Sequence, residues 1–243
     1  MKFSAPIYRL KRQAKLLSRE KNIALNKALD TVARREGFAT WSLLSATAAQ
    51  DSPARSILAR LSDGDLVLLG ARPGQGKTLL GLEILIEALA QNRMAAFFSL
   101  VYTRQEADAL LASLAPDVSS RNLTIVTSDD ISAALIIDTL KLSPPGTLAV
   151  VDYLQILDQQ RSKPELSVQM EDLRLFARTR GVILVFLSQV HRSFDPEIRP
   201  LPEIRDINAP NRIGPETFSK TCFLHDGEMS FSDMELKNTI KTT

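Results

Sequence analysis

Apolar positions follow two patterns along this chain, and each predicts a different kind of element. Over residues 5–49 they recur three or four apart, at Ile7, Leu10, Ala14 and Leu17 and again at Leu25, Ala28, Leu29, Val32 and Ala33. That spacing puts them on one side of a helix. Gly37 stands where a helix C-cap belongs, and Thr40 is placed to N-cap a third, short helix carrying Trp41, Leu43 and Leu44. Trp41 is expected to pack on the preceding helix, and Asp51-Ser52-Pro53 to punctuate the boundary. From residue 54 onward short apolar runs alternate with longer helical ones. Strands are predicted over 65–70, 95–100, 123–127, 147–152 and 182–188, with another near 221–225, and helices over 78–91, 104–114, 130–142 and 165–180. Leu148-Ala149-Val150-Val151 and Val182-Ile183-Leu184-Val185-Phe186-Leu187 are apolar without alternation, as strands covered on both faces must be. The prediction is therefore an α/β fold: a mainly parallel sheet flanked by helices, preceded by a small helical appendage. Pro196, Pro200, Pro202, Pro210 and Pro215 mark a polar stretch expected to be irregular.

Bulk composition changes this picture little, but the distribution of charge changes it more. The 243 residues carry a formal net charge of only +2, and 44% hydrophobic with 24% charged residues is ordinary for a globular chain. Residues 1–35, however, hold Lys2, Arg9, Lys11, Arg12, Lys15, Arg19, Lys21, Lys27, Arg34 and Arg35 against Glu20 and Asp30 alone. Arg9, Arg12 and Lys15 share a helix face that either meets phosphates or is simply solvated. Few aromatics are interleaved among them beyond Tyr8, which weakens a case for base stacking. A single cysteine, Cys222, rules out an internal disulfide and suits a reducing compartment. No stretch approaches the ~20 apolar residues of a membrane span, and the amino terminus has no apolar signal core, so the expected compartment is the cytoplasm.

The chemistry concentrates at Ala71-Arg72-Pro73-Gly74-Gln75-Gly76-Lys77-Thr78-Leu79, between an apolar strand and a helix-like run. This is the setting of a phosphate-binding P-loop: backbone N–H groups wrap an anion at the positive end of a helix dipole. Lys77 would reach the β- and γ-phosphates of ATP and Thr78 would hold Mg²⁺. Two further apolar strands end in polar groups. Asp152 closes Leu148–Val151 and fits the acid that sits beside Mg²⁺ together with Thr78. Gln189, after Leu187-Ser188, could sense the γ-phosphate or the attacking water. His191 reads as a loop residue, and His225 and Cys222 form no zinc pattern.

Taken together these stretches resemble the RecA-like motor domain of the DnaB-type hexameric replicative helicases. Gly64-Asp65-Leu66-Val67 leading into Ala71-Arg72-Pro73 and Gly76-Lys77-Thr78 is similar to that family's first motif, in which alanine rather than glycine opens the loop. Ala96-Phe97-Phe98-Ser99-Leu100 resembles its next strand, Asp152-Tyr153-Leu154-Gln155-Ile156-Leu157 its acidic segment, and Leu187-Ser188-Gln189 with Arg192-Ser193 its third motif. Arg199-Pro200 with Ile204-Arg205-Asp206 resembles the start of its DNA-facing fourth motif. RecA-type and KaiC-type ATPases share the fold, but the Ala-Arg-Pro loop with Asp-Tyr-Leu-Gln favours the DnaB type. The resemblance implies ATP and Mg²⁺ as cofactors, with Lys77, Asp152 and Gln189 as catalytic residues. It also implies single-stranded DNA as a nucleic-acid partner, and a homo-oligomer such as a hexamer or else a partner helicase. It divides the chain into a basic helical appendage over 1–50, a RecA/DnaB-like ATPase domain over 54–230 and a tail over 231–243. Arg72 would contact either nucleotide or a neighbouring subunit.

Two departures from the family pattern bear on activity. The family places a water-activating glutamate directly after Phe-Ser-Leu, where this chain has Val101, which cannot accept a proton. General-base assistance is typically worth about 10²–10⁴-fold in rate. Glu106, the nearest acid, reads as a favourable charge in a helix's first turn. The family also carries an arginine finger beyond its last strands. Here the Asp226-Gly227-Glu228 turn leads to a tail with Lys237 and Lys241 and no matched finger, and residues 206–220 diverge from the fourth motif. The sequence thus leaves two functions open: a DnaB-like ATPase acting on or near DNA, or a poorly hydrolysing, nucleotide-dependent regulator or adaptor that docks on a helicase or other partner.

Overall fold

The computed structural model describes residues 4–5, 7–50, 52–115, 120–158, 163–208 and 214–234. Lys2, Asp51, Pro210 and the tail with Lys237 and Lys241 lie outside them, as do the side chains of Tyr8 and Arg9. The chain divides into two compact units, residues 1–56 and 57–243.

In the first unit, helices α1 (Ile7–Glu20), α2 (Leu25–Arg35) and α3 (Trp41–Gln50) form where the three-to-four spacing places them. They bury Leu10, Ala14 and Leu17 of α1 against Ala28, Val32 and Ala33 of α2, together with Phe38 and Leu44. Gly37 ends α2 at φ +87°. Its N–H donates to the Arg34 carbonyl at 3.1 Å and the Phe38 N–H to the Ala33 carbonyl at 2.9 Å, a Schellman motif that turns Phe38 back into the core. Two side chains start α3: Thr40 Oγ1 accepts from the Leu43 N–H at 3.3 Å, and Asp30 Oδ1 accepts from the Trp41 N–H at 2.8 Å. Trp41 packs half-buried on this core. A short helix, α4 (Pro53–Leu58), follows the predicted punctuation, with proline at its first position where no N–H is needed.

The second unit is a seven-stranded sheet. Its strands are β1 (Leu66–Ala71), β2 (Ala95–Ser99), β3 (Leu123–Thr127), β4 (Leu148–Asp152), β5 (Ile183–Gln189), β6 (Lys220–His225) and β7 (Glu228–Asp233), in the order β3-β2-β4-β5-β1-β6-β7. Every pairing is parallel except β6 with β7. Helices α5 (Lys77–Ala90), α6 (Arg104–Leu114), α7 (Ala133–Leu140) and α8 (Leu166–Arg180) connect them. One face of the sheet, with Leu68, Ala149, Val151, Leu184 and Phe186, packs on Ile136 and Leu140 of α7 and Met170 and Leu173 of α8. The other receives α5, whose Gly81 lies so close that a Cβ there would be 3.0 Å from the Leu187 side chain and 3.3 Å from Val150. A glycine is what lets this helix sit on the sheet.

The predicted α/β architecture is present, with two differences of detail. Helix α7 begins at Ala133 rather than 130, because Ser132 caps it, its Oγ accepting from the Leu135 N–H at 3.3 Å. Strand β7 extends the sheet to Asp233. It follows a two-residue turn in which Asp226 (φ +46°) and Gly227 (φ +78°) are both left-handed, the conformation that suits a tight hairpin.

Candidate nucleotide site

Strands β4, β5 and β1 are neighbours, so their carboxyl ends reach one edge of the sheet together. The register places Ala71 opposite Gln189, and Asp152 opposite Leu187. Open α/β sheets bind ligands at this edge. The three sequence segments therefore converge for a topological reason that no one of them carries alone.

The P-loop leaves β1 at buried Ala71. Gly74 (φ +80°) and Gly76 (φ +86°) both take left-handed conformations, and a Cβ on either would meet nothing within 4 Å. These glycines thus supply backbone direction, and the space beside them is open. Gly76 caps α5 without any side-chain hydrogen bond, which leaves the first N–H groups of the helix free of a side-chain acceptor. Two P-loop side chains are engaged locally: Gln75 Oε1 accepts from the Asp226 N–H at 2.9 Å, pinning the loop to the β6–β7 turn, and Arg72 Nη2 donates to the Arg192 carbonyl at 3.4 Å. The half-buried Lys77 and Thr78 open α5. Thr78 Oγ1 donates to Asp152 Oδ2 at 3.1 Å. Asp152 is only 2% exposed. Burial pushes its carboxyl pKa up, and the Lys77 charge and the Thr78 hydrogen bond pull it back. A buried carboxylate beside a hydroxyl is a hard-oxygen pair that matches the preference of Mg²⁺.

Gln189 closes β5 half-buried, and its carbonyl accepts from the Asn208 N–H at 2.8 Å. Beside it runs a bridge that sequence reading did not anticipate. Gln155, in the 3₁₀ turn Leu154–Asp158, donates from Nε2 to Ser188 Oγ at 3.0 Å and also to the Asn208 carbonyl, while its buried Oε1 has no partner among the described residues. The 190–208 segment is held further by pairing of Val190 with Ile207 and by Arg199, whose guanidinium grips Asp206 at 2.9 and 3.1 Å. Arg199, Ile204 and Asp206 are thus occupied in folding this segment, with Ile204 packed on the core. His191 is a loop residue, its Nδ1 accepting from the Ser193 N–H at 3.1 Å. His225 stacks edge-on against Phe194, with centroids 5.4 Å apart. Among the described residues, no three His, Cys, Asp or Glu side chains gather to hold a metal.

The corner after β2 differs in kind. Val101 is 55% exposed, and its N–H donates to Ser99 Oγ at 3.1 Å. Ser99 lies in register with Asp152, so Val101 emerges beside the acidic strand. The next residue, Tyr102, is half-buried, and its phenol pKa is raised by burial, then by the charges of Asp152 and Glu106. It remains a hydrogen-bond donor at neutral pH. Glu106 completes a capping box with Thr103: its carboxylate accepts from the Thr103 N–H and hydroxyl at 2.9 Å each, and these bonds lower its pKa. Its negative charge therefore belongs to the start of α6. A half-buried acid on α5 was not singled out in the sequence. Glu83 on α5 has its pKa raised to about 7 by burial and then by Glu87.

A parallel sheet with a P-loop on one strand and a buried acid two strands away is the arrangement of the P-loop nucleotide-binding fold. One solved ATPase domain is similar to this chain with a TM-score of 0.55 and 17% identity, over 78% of this chain and 92% of that one. A DnaB-like replicative helicase is similar with a TM-score of 0.51 and 15% identity, over 89% of this chain and 65% of that one. In sequence, the chain is 25% identical over 211 residues to the replicative DNA helicase DnaB of Geobacillus stearothermophilus, covering 73% of this chain and 46% of that protein. It is also 25% identical over 182 residues to the replicative DNA helicase DnaB of Helicobacter pylori (strain J99), covering 60% and 37% respectively. The chain thus spans less than half the length of these two relatives. No protein-family model matches it. Fold and sequence together support a DnaB-type, RecA-like ATPase domain. No helix among the described residues is long and apolar enough to cross a membrane.

Proposed function

We propose that the chain is a Mg²⁺-dependent ATP-binding module of the DnaB helicase type that acts on or near DNA. The observation that carries this is the Thr78 hydroxyl on buried Asp152 at 3.1 Å, at the foot of a helix whose first N–H groups have no side-chain cap. Lys77 and the amides of residues 74–78 would hold the β- and γ-phosphates, with Ala71, Arg72, Pro73 and Leu79 shaping the loop on either side. Thr78 and Asp152 would hold Mg²⁺, which when bound neutralises phosphate charge. Gln189, whose backbone carbonyl takes the Asn208 N–H, would report the occupant to the 190–208 segment. The DnaB likeness favours a ring, hexameric as in that helicase family, with single-stranded DNA or a partner helicase as its associate, in the cytoplasm. We favour a division into a helical 1–50 region, a 54–230 ATPase domain and a 231–243 tail whose first three residues, Phe231, Ser232 and Asp233, complete strand β7 of the domain's sheet.

The Val101 corner supports a second reading, in which ATP is held but turned over slowly by a regulator or adaptor. Val101 has no proton acceptor, Tyr102 is a donor, and Glu106 is engaged in its capping box. Single-turnover hydrolysis with and without single-stranded DNA separates the two. DNA-stimulated turnover that Lys77→Ala abolishes would exclude the regulator. Tight Mg²⁺-ATP binding without turnover, restored by about 10²-fold or more in Val101→Glu, would exclude the motor. Failure of ATP to bind at all would overturn both.

A further inference from the structure

The two units differ sharply in charge. Residues 1–56 hold eleven Lys and Arg against four Asp and Glu, a formal +7, whereas residues 57–243 hold nineteen against twenty-four, a formal −5. We infer that the N-terminal helical unit is a separate duplex-DNA backbone-binding module, whose contact surface is the cationic ridge of α1 formed by Lys11, Arg12, Lys15 and Arg19.

The geometry of α1 makes the ridge. Leu10, Ala14 and Leu17 point into the core. At about 100° per residue, Arg12, Lys15 and Arg19 then fall within a ~60° arc on the opposite side, with Lys11 flanking them. Arg12, Lys15 and Arg19 are exposed, and Lys11 is half-buried. Among the described residues none of the four makes an ion pair. Two of the unit's acids are used elsewhere, Asp30 capping α3 through the Trp41 N–H and Glu36 accepting from the Ser4 N–H and hydroxyl, and exposed Glu20 at the end of α1 offsets only one of the four charges. From Arg12 to Arg19 the helix rises about 10 Å, a length of duplex axis that carries about six phosphate charges.

Three features choose duplex DNA over other polyanions. Phe38 is buried and Trp41 is packed on the core, so among the described side chains of this unit no exposed aromatic offers a stacking platform for single strands. The apolar face of α1 is spent on the core, and among its described side chains Leu16 alone is a large apolar group left exposed, too little for insertion into a bilayer. The acidic second unit of another copy is a poorer match, because its net −5 is spread over 187 residues and several of its carboxylates are paired at home, Asp206 with Arg199, Glu171 with Arg174, Asp108 with Arg104 and Asp233 with Lys220, whereas a duplex carries one charge per about 1.7 Å of axis. Contact through phosphates alone predicts binding without sequence preference.

Duplex binding by α1 does not depend on the nucleotide site, and the experiment keeps the two apart. Fluorescence anisotropy of the full chain on a 20-base-pair duplex, without nucleotide, is measured across salt for the wild type, for Lys77→Ala, and for the combined Lys11→Gln, Arg12→Gln, Lys15→Gln and Arg19→Gln variant. Four phosphate contacts contribute a log–log salt slope of about −3.6, so wild-type affinity should fall about 10²-fold between 50 and 200 mM. Lys77→Ala should match the wild type, and the combined variant should lose that part of the slope while Trp41 fluorescence shows the unit still folded. Each single substitution should flatten the slope by about 0.9. An unchanged slope in the combined variant, a larger loss of affinity for a 20-nucleotide single strand than for the duplex in that variant, or a change in self-association in place of DNA affinity would each overturn the inference.

Discussion

The unit over residues 57–243 keeps its chemistry at a buried sheet edge, whereas the unit over residues 1–56 wears its charge on the outside of a three-helix core. At the sheet edge Asp152 sits almost without solvent, and strand pairing holds its neighbours in register. On α1 the bases stand in solvent and owe their grouping only to helical period. A buried carboxylate needs partners already in place, because desolvation without them costs several kcal/mol. An exposed cation needs none, and its affinity for a polyanion is set by salt. The sheet site can therefore be damaged by single substitutions inside it, while the ridge should lose function only in increments.

The sharpest way to break this comparison is to remove the core beneath the ridge. Leu10 is fully buried, and Leu10→Ala should cost about 2–5 kcal/mol. A unit of this size has a total stability of roughly 3–8 kcal/mol, so much or all of its fold should be lost at 37 °C. Trp41 is the only tryptophan in the chain and lies in this unit, so its fluorescence in a urea titration follows the event directly. The expected outcome is a lost Trp41 transition and lost duplex binding with ATP binding retained. Loss of ATP binding as well would show that the two units depend on each other.

The second test acts on the sheet unit alone, through Glu83. The unfolded chain ionises this carboxyl near its ordinary value of 4.5, and the folded chain near 7. Between those values the unfolded state binds fewer protons than the folded one, so stability falls as pH rises. The loss levels off above pH 7 at about 3 kcal/mol. Glu83→Gln should match the wild type near pH 4 and exceed it by up to about that amount at pH 8, measured by far-ultraviolet circular dichroism in urea. The Trp41 transition should not move between the two proteins. Equal pH dependence in both would mean that Glu83 is solvated.

What could be read from the sequence follows from how each feature is encoded. The central strands were legible because continuous apolar runs such as Leu148–Val151 have no other reading between turn signals, and the P-loop because its spacing is local. Gly37 and Thr40 announced the ends of helices for the same local reason. Strand β7 was not foreseen: it lies at the sheet edge with only half-buried Met229, Ser230 and Phe231 to mark it, a weak alternation. The Gln155 bridge to Ser188 and Asn208 and the Gln75 link to Asp226 span 33 to 151 residues of chain, so no window of sequence contains both partners. Glu83 looked like an ordinary polar position on α5, and its raised pKa comes from the packing around it.

The smallest expected effect tests whether the acids of the first unit serve the fold rather than the ridge. Asp30 Oδ1 accepts from the Trp41 N–H at the start of α3, joining the end of one helix pair to the next. Losing such a cap should cost about 1 kcal/mol, which Asp30→Ala would show as an earlier Trp41 transition in urea. Asp30→Asn keeps an acceptor of the same shape and discards only the charge, so it should recover most of that loss. If Asp30 also screened the α1 ridge, both substitutions would tighten duplex binding together, whatever their effect on stability. The geometry predicts that they part company: Asp30→Asn should leave both transition and affinity near wild type, because the carboxylate is held at α3 and makes no ion pair with the ridge.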